Sequence, residues 1–174
     1  MKVLGFAQAI DESARLFYEE MAARVDNVGV RAIFHKLAED EVALMNHHRE
    51  LAIQGDIPDA ETLDEGINVF EHLRHHEEYL QVCDDVSAYR LALDAERDVM
   101  KMYWRAASAE ANPEARELIV RIAQDEQRHL EEVETLYDFA NAPNNYLAWG
   151  EFSNLGEFHN FGRDLAWSRR DEEH

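Results

Sequence analysis

Apolar residues recur at intervals of three and four positions along most of the chain, which is the spacing of one face of an α-helix. This pattern breaks at Asp26-Asn27, at residues 55–58 and at Asn112-Pro113. Asparagine before a helix and proline in its first turn are start signals, whereas glycine and proline after a helix end it. The pattern therefore predicts an all-α chain with four long helices and one short helix, at about Val3–Arg24, 28–54, 85–110 and 113–141, and 66–82.

The two halves of the chain repeat each other. Residues 37–41 (Leu-Ala-Glu-Asp-Glu) align with residues 122–126 (Ile-Ala-Gln-Asp-Glu) at an offset of 85 positions. The same offset pairs Tyr18 with Tyr103, Asn27 with Asn112, and Arg31 with Arg116. Each half is a helix pair, at about residues 3–54 and 85–141, and residues 55–84 connect the pairs. A connection of that length can run back along the molecule. We therefore predict an antiparallel four-helix bundle over residues 1–141, with a long crossover from the second to the third long helix.

The segment 142–174 has a different composition from the rest of the chain. Glycine alternates there with aromatic residues, as in Trp149-Gly150 and Gly156-Glu157-Phe158. Exposed aromatic area is unfavourable in water. We expect this tail to pack on the bundle or on a second subunit.

Glu126 and His129 lie three residues apart, on one face of the last predicted helix. Their face also carries Ile119, Ile122, Ala123, Leu130 and Val133. Both polar side chains are therefore predicted to point into the core. A buried carboxylate is costly unless it is paired, and a cation shared with other carboxylates offsets that cost. Asp11, Glu41 and Glu96 lie on similar apolar stripes, so they are candidates for the other ligands of such a cation.

Charge and cysteine content restrict the function further. The formal net charge of −20 disfavours nucleic acid and anionic lipid as partners and favours cations. The single cysteine, Cys83, excludes an internal disulfide, a CxxC redox pair and a cysteine-ligated metal cluster. The chain has no run of about 18 apolar residues, and its N-terminus leads directly into an amphipathic pattern. A cytoplasmic protein that does not bind membranes is expected.

Taken together, these residues resemble the ferritin-like di-iron carboxylate proteins. An acid on each of the first and third long helices, a Glu-x-x-His motif, the long crossover and the internal repeat are all features of that family. The phrases Asp11-Glu-Ser-Ala-Arg-Leu-Phe-Tyr18 and Leu37-Ala-Glu-Asp-Glu41 are most similar to its rubrerythrin branch. The resemblance covers about Val3–Phe139. A rubredoxin-like module, which needs four cysteines, is not part of the sequence.

The resemblance implies a set of metal ligands, namely Asp11, Glu41, Glu96, Glu126 and His129. It also shows two departures. Leu44 occupies the position of the second family histidine, and Val99 occupies the position of an additional glutamate. His47 and His48 follow Leu44, and neither is expected to reach the site unless the helix is locally distorted, for example by a π-bulge.

Two functions follow from the resemblance. One is a non-haem iron oxidoreductase that handles iron(II) with oxygen or peroxide, with two iron ions and an unidentified electron donor. The other is a redox-inactive bundle that keeps a single or weakened site for iron, manganese or zinc, because Leu44 cannot bind a metal. A homodimer or higher homo-oligomer is expected in either case.

Two further groups of residues have an ordinary structural interpretation beside a functional one. Tyr18 and Tyr103 are predicted to be core tyrosines that bond across the bundle, with the acids as candidate partners, rather than redox relays. His72, His75 and His76 have the i, i+3, i+4 spacing of a zinc or copper site, but the same run also describes a solvated helix face.

Overall fold

A computed structural model describes residues 1–53, 56–64, 68–76, 80 and 85–138 of the chain. Its regular elements are helices: α1 (Val3–Arg24), α2 (Val28–Ile53), α3 (Val69–His75), α4 (Asp85–Ala109) and α5 (113–138). The predicted all-α class is confirmed, and strand-like pairing among the described residues is limited to a single bridge between Lys2 and Asp59. The predicted end near residue 141, the tail 142–174 and Cys83 lie outside the described residues.

Asparagine side chains start the second helix of each pair. The Oδ1 atom of Asn27 accepts hydrogen bonds from the backbone N–H groups of Gly29 (2.8 Å) and Val30 (3.2 Å), at the start of α2. Asn112 does the same for Glu114 (3.0 Å) and Ala115 (3.3 Å), at the start of α5. These bonds satisfy N–H groups that have no partner inside the helix. They fix the points at which α2 and α5 begin.

Each long helix buries one stripe of side chains, and the stripes meet in a common core. Its centre is aromatic: the ring of Phe34 from α2 lies 6.2 Å from that of Tyr18 and 5.6 Å from that of Tyr89. Phe70 brings α3 into this core, with its ring 5.4 Å from that of Phe17. Such large buried rings supply much of the apolar area that stabilises the fold.

Hydrogen bonds and an ion pair hold the described parts of the connection between α2 and α4 against the long helices. Beside the N-terminus, the backbone N–H of Val3 donates to the carbonyl of Pro58 (3.2 Å). The buried Glu110, which follows α4, accepts from the backbone N–H of Glu61 (3.0 Å) and the hydroxyl of Thr62 (2.9 Å). Further along, Arg74 of α3 pairs with Glu20 of α1 at 2.8 Å. These contacts order residues 56–64 and α3 against the long helices.

Residues Met1–Tyr137 form one compact unit. Within the described part of the chain, no helix combines the length and the apolar character needed to cross a membrane.

Candidate metal centre

The five residues proposed as ligands lie inside the compact unit, on four different helices. Asp11 is on α1, Glu41 on α2, Glu96 on α4, and Glu126 and His129 on α5. Their exposed fractions range from 1% to 5%. The neighbouring Glu12 is only half-buried and pairs with Arg15. The helical pattern therefore distinguished the inward acid of α1 from its outward neighbour correctly.

Glu41, Glu96 and His129 form the closest part of this cluster. One ligand atom from each lies within 4.8 Å of the other two. The Nε2 atom of His129 is 2.9 Å from Oε1 of Glu41 and 3.3 Å from Oε1 of Glu96. Both distances suit an ion pair, yet neither contact has the alignment of a hydrogen bond. An imidazole and two carboxylates thus converge on one point from three helices.

Glu96 is oriented by a tyrosine from another helix. The hydroxyl of Tyr18, on α1, donates a hydrogen bond to Oε1 of Glu96. Tyr18 is fully buried, and burial together with the nearby acids raises its pKa well above the usual value. The hydroxyl therefore stays protonated and acts as a donor. This confirms that Tyr18 is a core tyrosine that bonds to an acid across the molecule.

Asp11 has a partner that sequence reasoning did not expect. The Nδ1 atom of His48 lies 2.7 Å from Oδ2 of Asp11, and the His48 side chain is fully buried. The spacing of α2 suggested that His48 reaches the acids only if the helix is distorted. That expectation is wrong, because α2 is an unbroken α-helix from Val28 to Ile53. A helical side chain leans toward the N-terminus of its helix, and this direction brings the imidazole of His48 back toward Asp11.

Glu126 and Tyr103 complete the cluster without hydrogen bonds at their inner atoms. Both are buried, and among the described residues Oε1 of Glu126 and the hydroxyl of Tyr103 have no hydrogen-bond partner. Tyr103 therefore lies in the core as predicted, but its hydroxyl makes no bond to an acid. Burial raises the pKa of Glu126 well above its usual value, and the nearby Asp11, Glu41 and Glu96 raise it further.

The electrostatics of the cluster show an excess of acid over base. Burial raises the pKa of Glu41 from 4.5 to about 8, although His129 partly opposes this shift. Burial alone would lower the pKa of His129, but the carboxylates of Glu96 and Glu41 outweigh burial and raise it well above 6.5. Four buried acids thus face one nearby imidazolium and the imidazole of His48. A bound divalent cation would relieve this excess.

The donor atoms fit a hard or borderline metal ion. Three of the five candidate ligands have a buried atom without a hydrogen-bond partner among the described residues: Oδ1 of Asp11, Oε1 of Glu126 and Nε2 of His129. Buried polar atoms are normally satisfied. Carboxylate oxygens with imidazole nitrogen are the ligand types that iron(II) and manganese(II) accept. The residues present therefore fit such a metal, with Glu41, Glu96 and His129 as the best-formed part.

Leu44 and Val99 change the surroundings of this cluster. Val99 is fully buried and apolar, so α4 offers no additional carboxylate there. Leu44 is half-buried and, with His129, lines a cavity of about 280 Å³ between α2 and α5. His47 and Asp125 also line this cavity, and their side chains are 3.6 Å apart. Solvent-accessible space therefore adjoins the candidate ligand His129. The sequence pattern did not predict this cavity.

The histidines in and directly after α3, namely His72, His75 and His76, do not form a comparable group of metal-ligating atoms. The rings of His72 and His76 are 4.3 Å apart. Across the part of the chain that the structure describes, however, the only three metal-ligating atoms found so close together belong to Glu41, Glu96 and His129. The structure therefore gives no support to a zinc or copper site at His72, His75 and His76.

Comparison with known proteins adds one finding. A family model described as Rubrerythrin matches residues 2–137, which is most of the chain and includes all five candidate ligands. No curated protein and no solved structure matches the chain.

Proposed function

The chain belongs to the rubrerythrin family, and on this basis we propose that it binds two iron ions and oxidises iron(II) with oxygen or hydrogen peroxide. The observation that supports this proposal most strongly is the buried convergence of Glu41, Glu96 and His129 on one point. The family match makes a di-iron site the natural interpretation of that cluster.

Each proposed ligand has a role that follows from its position. Glu41 and Glu126, from α2 and α5, would be the bridging carboxylates that hold both ions. Glu96 and His129 would hold one ion, and Asp11 would hold the other. Paired carboxylates suit this arrangement, because a bridging carboxylate can change from one bound oxygen to two as the charge on iron changes.

Two iron(II) ions held by these residues would supply the two electrons that convert hydrogen peroxide and two protons into two waters. The protein residues provide binding, orientation and proton storage. In the metal-free chain, the raised pKa of His129 keeps its imidazole protonated between Glu41 and Glu96, and a bound iron ion would take the place of the Nε2 proton. The hydroxyl of Tyr18 keeps Glu96 in place. The side chains of the cluster are buried, and burial strengthens these electrostatic interactions.

Oxygen or peroxide is proposed to enter through the cavity between α2 and α5. This cavity adjoins His129 and is lined by residues of both helices. Leu44 borders it where the family has a histidine. A smaller ligand set on that side would leave room for the oxidant beside the iron pair.

The finer architecture is also part of the proposal: an antiparallel four-helix bundle with a crossover from α2 to α4 and an internal two-fold repeat. Local contacts that recur 85 residues apart support the repeat. Arg31 donates to the carbonyl of Val25 (3.0 Å), and Arg116 donates to the carbonyl of Glu110 (2.6 Å). The cavity wall repeats in the same way, from Asp40 and Asp125 at one end to His47 and Glu132 at the other.

A redox-inactive metal-binding bundle is the second candidate function. Leu44 and Val99 favour it, because each replaces a potential ligand with a side chain that has no donor atom. This alternative predicts metal binding and metal-dependent stability without turnover.

The two functions are distinguished by stopped-flow absorbance after anaerobic loading with iron(II). Mixing with oxygen or peroxide is expected to give a rapid increase in near-ultraviolet absorbance from iron(III). Glu126→Gln should slow this step at least ~100-fold, since the residue belongs to a unit of interacting ligands. Glu131→Gln, an exposed change on α5 outside the cavity lining, is the matched control and should react normally. If the iron-loaded protein shows no oxidant-dependent change, the oxidoreductase proposal is lost and the second candidate remains.

A further inference from the structure

We propose that His48 is a metal ligand, which together with Asp11 binds the second metal ion and supplies the imidazole that Leu44 cannot provide. This inference rests on the metal-binding function proposed above. It assigns a role to a histidine that lies seven residues after Glu41, outside the Glu-x-x-His spacing.

The contact between His48 and Asp11 is the first observation. Both side chains are buried, with exposed fractions of 0% and 1%, and Nδ1 lies 2.7 Å from Oδ2. An imidazole nitrogen and a carboxylate oxygen at this distance share one proton. A divalent cation bound by both atoms takes the place of that proton, as in other sites where metal binding releases protons.

The direction of the side chain explains how His48 reaches this position. Seven helical residues span about 10 Å along the axis, which places the His48 backbone two turns beyond Glu41. Its side chain leans back toward the N-terminus of α2, and therefore toward the acids. Asp11 is one methylene shorter than Glu96, which occupies the equivalent position in the second half of the chain. The shorter acid on α1 and the more distant histidine on α2 meet each other.

Unpartnered polar atoms around this pair are the second observation. Four of the six buried side-chain atoms without a hydrogen-bond partner among the described residues are Oδ1 of Asp11, Nε2 of His48, Oε1 of Glu126 and the hydroxyl of Tyr103. They come from α1, α2, α5 and α4. After burial, the charge of Asp11 contributes to the raised pKa of both Glu126 and Tyr103.

The two halves of the cluster therefore differ in a way that a second ion accounts for. In the half around Glu96, the acid is bonded to Tyr18, and His129 lies between two carboxylates. In the half around Asp11, four groups each have a buried atom that makes no hydrogen bond. They are the imidazole of His48, the carboxylates of Asp11 and Glu126, and the hydroxyl of Tyr103. One imidazole with carboxylates suits iron(II), manganese(II) or cobalt(II).

Cobalt(II) is a suitable probe because it binds the same ligand types and is paramagnetic. Each imidazole bound to cobalt gives one exchangeable N–H signal that is strongly shifted in the proton NMR spectrum. The unaltered full-length chain is expected to bind two cobalt ions by equilibrium dialysis and to show two such signals. His48→Gln should lose one signal, and its affinity for the second cobalt ion should fall at least ~10-fold. His35→Gln, an exposed change on the same helix, is the control and should keep both.

A role of His48 in merely orienting Asp11 gives a different result. In that case the unaltered protein shows only one shifted N–H signal, and His48→Gln leaves that signal in place. Either that result or full retention of the second ion by His48→Gln overturns the inference while leaving metal binding intact. If the unaltered protein binds no cobalt, manganese or iron, the proposed function fails as well.

A double variant guards against simple loss of folding. Leu44→His combined with His48→Gln moves the imidazole to the position that the family spacing specifies. This double variant is expected to bind the second cobalt ion again and to show the second shifted N–H signal. If His48→Gln loses the ion but the double variant does not recover it, while circular dichroism shows both variants folded, a ligand role for His48 is contradicted.

Discussion

At the scale of single residues, the two equivalent acids Asp11 and Glu96 have different partners. Glu96 accepts a hydrogen bond from Tyr18 of α1. The corresponding tyrosine for Asp11 is Tyr103, yet its hydroxyl has no partner among the described residues, and His48 contacts Asp11 instead. Shortening a glutamate to an aspartate moves its carboxylate by one methylene. The second half also has Val133 at the position equivalent to His48, so the two halves differ both in the length of the acid and in the histidine that contacts it.

Replacing Tyr18 with phenylalanine tests the bond that orients Glu96. The change removes the donor to a buried carboxylate ligand but keeps the ring in the core. Iron(II) or cobalt(II) affinity, measured by anaerobic titration calorimetry, is expected to fall ~10- to 100-fold, as for other residues that hold metal ligands in place. Tyr89→Phe is the control, because Tyr89 is also a buried tyrosine but its hydroxyl has no partner. Equal affinities in the two variants would contradict the orienting role.

Sequence reasoning predicted the inward acids of the site but not the full set of contacts. The 3.6-residue period placed Asp11, Glu41, Glu96, Glu126 and His129 on buried stripes, and all five are buried. His48 was missed because spacing along the axis was compared without the backward lean of helical side chains. A histidine on the same stripe as Glu41, among apolar neighbours, was the available signal. The cavity beside Leu44 was missed because it depends on how two helices pack.

At the scale of elements, the second helix of each pair begins at a matching asparagine cap. The caps Asn27 and Asn112 were predicted because asparagine stands directly before a helix at two of the breaks in the apolar pattern. The start of α5 at residue 113 and of α2 at Val28 agree with this. Such local signals are readable because they involve only a few consecutive residues. Packing partners, by contrast, are distant in sequence.

Replacing Asn27 or Asn112 with alanine should destabilise the protein by a similar amount in each case. Each substitution removes two hydrogen bonds to the first turn of a helix. The expected loss is about 1 kcal/mol, the usual cost of removing a cap. Urea unfolding followed by circular dichroism measures it. Gln124→Ala, an exposed change within α5, is the control and should not destabilise. A loss at one cap alone would show that the two helix starts are not equivalent.

Filling the cavity between α2 and α5 tests its role as the entrance for the oxidant. Ala43→Trp places a large ring in this space, which adjoins His129. Iron oxidation is expected to slow several-fold, while the number of bound iron ions stays the same. Val42→Trp, at an exposed neighbouring position, should leave the rate unchanged. Stopped-flow oxidation and elemental analysis provide the two measurements. An unaltered rate in Ala43→Trp would rule out this route.

At the scale of the whole molecule, the buried acids couple folding to protonation. Burial raises the pKa of Glu41 to about 8, and neighbouring carboxylates raise the pKa of His129 well above its usual value. At a pH between its unfolded-state and folded-state pKa values, each group in the metal-free protein holds a proton that the same group has released in the unfolded chain. The stabilisation is complete below the unfolded-state pKa and is lost as the pH rises through the folded-state pKa.

The metal-free protein is therefore expected to lose thermal stability between about pH 5 and pH 8. Scanning calorimetry of protein treated with a chelator measures this change. Glu41→Gln should reduce the slope, because the amide does not titrate. Metal-loaded protein should show little or no decrease over the same range, since metal binding strengthens as the ligands lose protons. A melting temperature of the metal-free form that rises across this range would contradict the assigned pKa shifts.

The measurement that tests the central claim most directly is the number of iron(II) ions bound per chain. Anaerobic equilibrium dialysis of the full chain, with elemental analysis, is expected to give two ions for the unaltered protein. A Glu41→Gln and Glu126→Gln double variant, which loses both proposed bridging carboxylates, should bind none, while Glu39→Gln and Glu132→Gln together should still bind two. Absence of bound iron in the unaltered protein, or two ions in the bridging variant, would contradict the buried cluster as a di-iron site.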